Sequence, residues 1–140
     1  MEGHVIEIAR PENSTNKFTV EGPFPVRNQY GFYIKDVLGV QHGLILGFLT
    51  KDKNKVKFEV SNARNQKHGM QEHARGIVSD AIAQLVVNGI INQWYSSATR
   101  SDLAEHMYRD KLSADKRLHV FSPDESNGFR YLVTAKDSSK

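Results

Sequence analysis

The chain of 140 residues contains no cysteine. That absence excludes disulfide scaffolds, thiolate-bound zinc or iron–sulfur centres, and cysteine nucleophiles together. Long apolar runs are missing as well. The stretch around Val86 and Ile91 is broken by Asn88 and Gly89, far short of the ~20 residues a bilayer span requires. No membrane association is expected. Met1-Glu2-Gly3-His4 has neither the basic nor the apolar region of a signal peptide, so the expected location is cytoplasmic. Charge of one sign is also scarce: 19 Lys and Arg face 16 Asp and Glu, a formal +3, which does not by itself select nucleic acid. With 39% hydrophobic residues, a chain this long supplies one core without staples. A single domain over 1–135 and a polar tail over 136–140 are expected.

Periodicity divides the chain in two. In the first half, strands are predicted at His4 to Ala9, Lys17 to Glu21, Tyr30 to Val37, Gln41 to Thr50 and Lys55 to Ser61. Gly22-Pro23-Phe24-Pro25 is expected to interrupt pairing, because proline donates no ladder hydrogen bond. The last three strands then form an antiparallel meander, with a hairpin turn at Lys51-Asp52-Lys53-Asn54. In the third of them Val56, Phe58 and Val60 alternate with Lys55, Lys57 and Glu59, one apolar face and one charged face.

The period then changes. From Glu72 to Asn92, Ala74, Ile77, Val78, Ala81, Ile82, Leu85, Val86 and Ile90 recur at three and four, the stripe of a helix lying on a sheet. A short strand is predicted at Gln93 to Ala98, with Trp94 in it. A second helix follows, capped by Ser101 and carrying Leu103, Ala104, Met107, Tyr108 and Leu112. Arg117 to Phe121 and Phe129 to Thr134 close the chain as a hairpin. The expected class is α+β: a mixed, mostly antiparallel sheet with a central strand–helix–strand unit and two main helices.

The junction between the third meander strand and the long helix carries the most chemistry. Gln66-Lys67-His68-Gly69-Met70-Gln71-Glu72 is a polar loop opening a helix, where free backbone N–H groups and the helix dipole favour an anion. Gly69 permits close backbone approach. Between Lys51 and Arg75, the cations Lys51, Lys53, Lys55, Lys57, Arg64, Lys67 and Arg75 outnumber Asp52, Glu59 and Glu72, which concentrates anionic ligands nearby. These residues alone fit equally an ordinary strand-to-helix loop with a solvated surface.

This loop and its neighbours resemble the GNAT-type N-acetyltransferase superfamily. The superfamily's pyrophosphate loop reads Gln/Arg-x-x-Gly-x-Gly/Ala, and Gln66-Lys67-His68-Gly69-Met70-Gln71 meets its first two anchors. At the third, Gln71 replaces a small residue. A later family pattern, Asn-x-x-Ala-x-x-x-Tyr, is matched by Ser101-Asp102-Leu103-Ala104-Glu105-His106-Met107-Tyr108, with Ser for Asn. The likeness covers roughly Tyr30 to Ala135. Family members usually place two helices between their first two strands, and Pro11 to Asn28 holds no helical period.

The resemblance implies an acyl-CoA N-acyltransferase-like fold and acetyl transfer from acetyl-CoA to an amine. It implies that Gln66, Lys67, His68, Gly69, Met70, Gln71 and Glu72 hold the pyrophosphate. Pantetheine would lie between splayed strands near Val60 and Trp94. Glu59 would act as base toward the amine and Tyr108 as acid toward the thiolate. The partners implied are CoA or acetyl-CoA and an amine acceptor, which includes protein amines. A rival reading keeps the scaffold, drops catalysis and makes it a protein-interaction or inhibitory module; Gln71 leans that way. Homodimerisation through the face of Lys55, Lys57 and Glu59 is left open. No metal is expected, since the six histidines show no His-Glu-x-x-His spacing. Nucleic-acid binding would rest on Tyr30, Phe32 and Tyr33 beside the basic hairpin. Phe32 and Ile34 share one strand face, however, so most of that aromatic surface is expected to be core.

Overall fold

The computed structural model describes residues 4–8, 17–65 and 77–136. Five strands come first: β1 (His4–Glu7), β2 (Phe18–Val26), β3 (Gln29–Asp36), β4 (Gln41–Asp52) and β5 (Lys55–Asn65). Helix α1 (Ile77–Val87) and strand β6 (Gln93–Tyr95) follow. Helix α2 (Asp102–His106) runs on as a π-helical turn over Met107–Leu112, and β7 (Leu118–Phe121) and β8 (Leu132–Ala135) end the fold. One eight-stranded sheet has the order β1-β2-β3-β4-β5-β6-β8-β7. Among the described strands only β5 and β6 run parallel. The α+β class and the mostly antiparallel sheet therefore agree with the sequence expectation.

The antiparallel meander is longer than expected, five strands rather than three. Gly22-Pro23-Phe24-Pro25 does not interrupt β2. Pairing with β3 is interrupted only at Gly22 and Pro23, which have no partner there, and resumes at Phe24↔Gly31 and Pro25↔Tyr30. The described part of β1 pairs with β2 up to His4↔Gly22. Beyond Gly22 no described residue pairs with β2 on that side, so among the described residues proline's missing N–H leaves no ladder bond unmade. The strand expected over Gln93 to Ala98 stops at Tyr95.

Alternation sets the core. Val20, Ile34, Ile45, Phe58, Val60, Trp94 and Val133 are all buried, and register pairs Val20 with Ile34, Phe58 with Trp94, and Trp94 with Val133. The Phe58 ring lies 4.9 Å from Trp94 and 5.1 Å from Phe32. On this face α1 buries Ile77, Ala81, Ile82, Leu85 and Val86. Gly89, at φ +77°, ends the helix. Its N–H bonds Val86 C=O at 3.1 Å and Ile90 N–H bonds Leu85 C=O at 3.0 Å, satisfying carbonyls the helix leaves open. Asn92 then clamps the chain to β5: its N–H donates to Val56 C=O at 2.9 Å and its Oδ1 accepts from Val56 N–H at 2.7 Å.

That clamp starts a short parallel ladder, Lys57↔Gln93, Phe58↔Trp94 and Glu59↔Tyr95. The ladder ends there, although β5 continues. Ser96 turns instead to the segment entering β8. Its N–H donates to Tyr131 C=O and its Oγ accepts from Tyr131 N–H, both at 2.9 Å. β5 bends at almost the same place. Its register with β4 passes from Gly47↔Val60 to Leu46↔Asn62, which leaves Ser61 as the extra residue of a bulge. The two parallel strands therefore part after Glu59 and Tyr95.

Gly47 lets β4 lie against this bend. A Cβ there would collide with the Glu59 carbonyl oxygen and come within 2.8 Å of the Phe58 ring. Overpacking of this kind costs about 1–3 kcal/mol. Gly47→Ala is expected to lower the urea unfolding midpoint accordingly; an unchanged midpoint would mean that β4 and β5 do not approach this closely.

Candidate functional site

A cavity of about 250 Å³ opens beside the parted strands, between β5, β6, α1 and α2. Its floor is apolar and buried: Ile45, Val60, Ile82, Trp94 and the Tyr108 ring. Its rim is polar, formed by Ser61, Ser97, Thr99, Arg100 and Ser101. Ala104 and Met107 complete the wall.

Tyr108 reaches the cavity because of how its helix starts and widens. Ser101 caps α2 as the sequence predicts, its side chain accepting from Ala104 N–H at 3.1 Å. The π-helical turn buries both Tyr108 and Leu112. The Tyr108 ring stacks on Tyr131 at 5.3 Å, with 9° between the planes. Its hydroxyl oxygen accepts from Trp94 Nε1–H at 3.0 Å. Because that bond uses the oxygen as acceptor, the phenol proton remains to be donated, and it has no acceptor among the described residues. Burial pushes the Tyr108 phenol well above the usual tyrosine range, against the opposing donation from Trp94. At neutral pH the group is a protonated donor facing a cavity.

The rim is held by a cluster that sequence reasoning missed. Arg100 donates through Nε to Glu105 at 2.9 Å and through Nη1 to the carbonyls of Ser97 (2.7 Å), Ala98 (3.2 Å) and Phe129 (3.0 Å). It also lies over the Tyr131 ring, 5.0 Å from its centroid. The Tyr131 hydroxyl donates to Glu105. That hydrogen bond, together with Arg100, holds the Glu105 carboxyl below its ordinary range, while burial and then Glu105 push Tyr131 up. These groups fix the loop between β6 and α2. Sequence offers little trace of them, since Arg100 and Phe129 are 29 residues apart.

The residues singled out from sequence separate into three sets. Val60, Trp94 and Tyr108 come together in the cavity wall. Glu59 ends the parallel ladder opposite Tyr95, but its side chain takes the outer face of the sheet. There it is half-buried, 3.9 Å from Lys57 Nζ, whose ammonium lies 5.2 Å from the Tyr95 ring centroid. Glu59 and Tyr108 thus occupy opposite faces at the point where the strands part. The loop 66–72, with Gln66, Lys67, His68, Gly69, Met70, Gln71 and Glu72, lies outside the described residues. Among those residues no three of His, Asp and Glu converge on a metal-sized site, and no helix is long and apolar enough to cross a membrane.

Compared with known protein families and with curated proteins, the chain matches none. The site is therefore read from its own geometry.

The Trp94–Tyr108 bond is testable without a ligand. Tyr108→Phe leaves the buried indole N–H without a partner, and Trp94→Phe does the same to the phenol oxygen. Each is expected to cost at least about 1–3 kcal/mol. In a double-mutant cycle by urea unfolding the pair should couple by roughly 0.5–3 kcal/mol. Strict additivity would mean the bond is not made.

Proposed function

We propose that this protein is an acyl-CoA N-acyltransferase-like domain that moves an acyl group, acetyl in the simplest case, from coenzyme A to an amine. The observation that supports this most is the parting of β5 from β6 beside a cavity into which the buried Tyr108 offers a proton. Beyond Glu59 no strand faces β5 on its β6 side among the described residues. An extended chain bearing amides, as pantetheine does, would find backbone partners there. Val60 and Trp94 would flank it, and the loop 66–72 would carry the pyrophosphate.

Bound there, acyl-CoA supplies an activated carbonyl carbon with sulfur as its leaving group. An amine arrives largely as ammonium at neutral pH and must lose a proton before it attacks. Glu59, on the outer face where the strands part, takes that proton directly or through one water. The nitrogen lone pair then forms the bond to the carbonyl carbon as the carbon–sulfur bond breaks. Tyr108, on the inner face, donates its proton to the departing sulfur, and the second proton released by the nitrogen as the amide forms passes through water to restore the phenol. Burial keeps the phenol protonated at neutral pH, so that a proton is present to donate.

Thermal-shift titration tests the reading. Both CoA and acetyl-CoA are expected to raise the unfolding temperature, with a stabilisation of about 2.7 kcal/mol at 100 times the dissociation constant. Tyr108→Phe should keep CoA affinity and slow acetylation of an amine. No shift with either ligand at millimolar concentration overturns the reading.

A further inference from the structure

The cavity is large for the group just assigned to it. We propose that it is an acyl-chain pocket and that the preferred donor carries an apolar acyl group of about four to six carbons rather than acetyl. This rests on the acyl-CoA reading above and specifies its substrate class.

Volume and lining carry the inference. At about 250 Å³, the cavity exceeds the roughly 150 Å³ of an apolar cavity that accommodates a benzene ring. The single methyl of an acetyl group would leave most of it unfilled. Ile45, Ile82 and Trp94 in its wall are 0%, 1% and 0% exposed, and Val60 is 6% exposed. None of these four directs a polar side-chain atom that would hold ordered water there, the Trp94 N–H being engaged by Tyr108. Polar groups collect at the rim, where Ser61, Thr99 and Ser101 are exposed. The remaining side-chain donor among the buried wall residues is the hydroxyl of Tyr108, a residue 3% exposed. A ligand that satisfies both regions has one acceptor atom at the head of an apolar body. A thioester followed by a short alkyl chain has that form.

Calorimetric titration with CoA, acetyl-CoA, butyryl-CoA and hexanoyl-CoA reads this directly. Each methylene moved from water into an apolar pocket strengthens binding about fourfold. Hexanoyl-CoA, four methylenes longer, should therefore bind up to roughly 250-fold more tightly than acetyl-CoA. Ile82→Trp, or Ala104→Leu if the first variant fails to fold, narrows the cavity. Either should erase the gain from chain length and leave affinity for CoA itself unchanged. Hexanoyl-CoA binding no more tightly than acetyl-CoA, while CoA binds, overturns the pocket and leaves the acyl-CoA reading standing. If no CoA compound binds, the hexanoyl thioester of N-acetylcysteamine, which lacks the nucleotide, decides the matter. Its binding, lost in the Ile82 or Ala104 variant, supports the pocket; absence of binding overturns it.

Discussion

A β-strand has two hydrogen-bonding edges, and a central strand must satisfy both. β6 does so for only three residues, Gln93–Tyr95, with β5 on one side and β8 on the other. At the next residue Ser96 commits to the β8 side. Its N–H, Oγ and C=O all bond the Arg130–Tyr131 segment, at 2.9 Å each. Ser96 is 0% exposed, so breaking those bonds would leave buried polar groups without partners. β5 continues paired with β4 but, among the described residues, without a strand on its β6 side, and the bulge at Ser61 bends it. The parted strands, the cavity beside them and the chemistry proposed for them all follow from that preference.

Trp94 ties the split to the cavity. Its backbone lies in the ladder between Phe58 and Val133, and its ring packs on Phe58 and Phe32. Its one polar atom leaves the core to bond Tyr108. One side chain therefore contributes to the sheet, to the cavity floor and to the orientation of the Tyr108 hydroxyl. The Arg100–Glu105–Tyr131 cluster works alongside it, closing the loop between β6 and α2 with carbonyl contacts and stacking beneath Tyr108. Tyr108 is thus held from two sides, which is the arrangement the proposed acid requires.

Much of this was legible from local pattern. The alternation in Lys55 to Ser61 assigned Val56, Phe58 and Val60 to the core and Lys57 and Glu59 to the outer face, because a strand's faces repeat every two residues. Ser101 as a cap and Tyr108 on the helix after it followed from spacing alone. What local pattern missed depends on neighbours distant in sequence. Proline at Pro23 and Pro25 is disruptive only if a flanking strand needs its N–H, and which strands flank β2 cannot be read from β2 itself. Trp94 was placed near the cleft, but not as the partner of Tyr108, 14 residues away. Arg100 has no motif at all; its role appears only when Ser97, Ala98 and Phe129 carbonyls converge on it.

The most direct test of the central claim is a crystal structure with a thioester-mimicking ketone analogue of acyl-CoA. Its pantetheine arm is expected along β5 beyond Glu59, in the gap left by β6, with the atom replacing sulfur facing the Tyr108 hydroxyl. An analogue bound elsewhere, with that gap unaltered, would contradict the account.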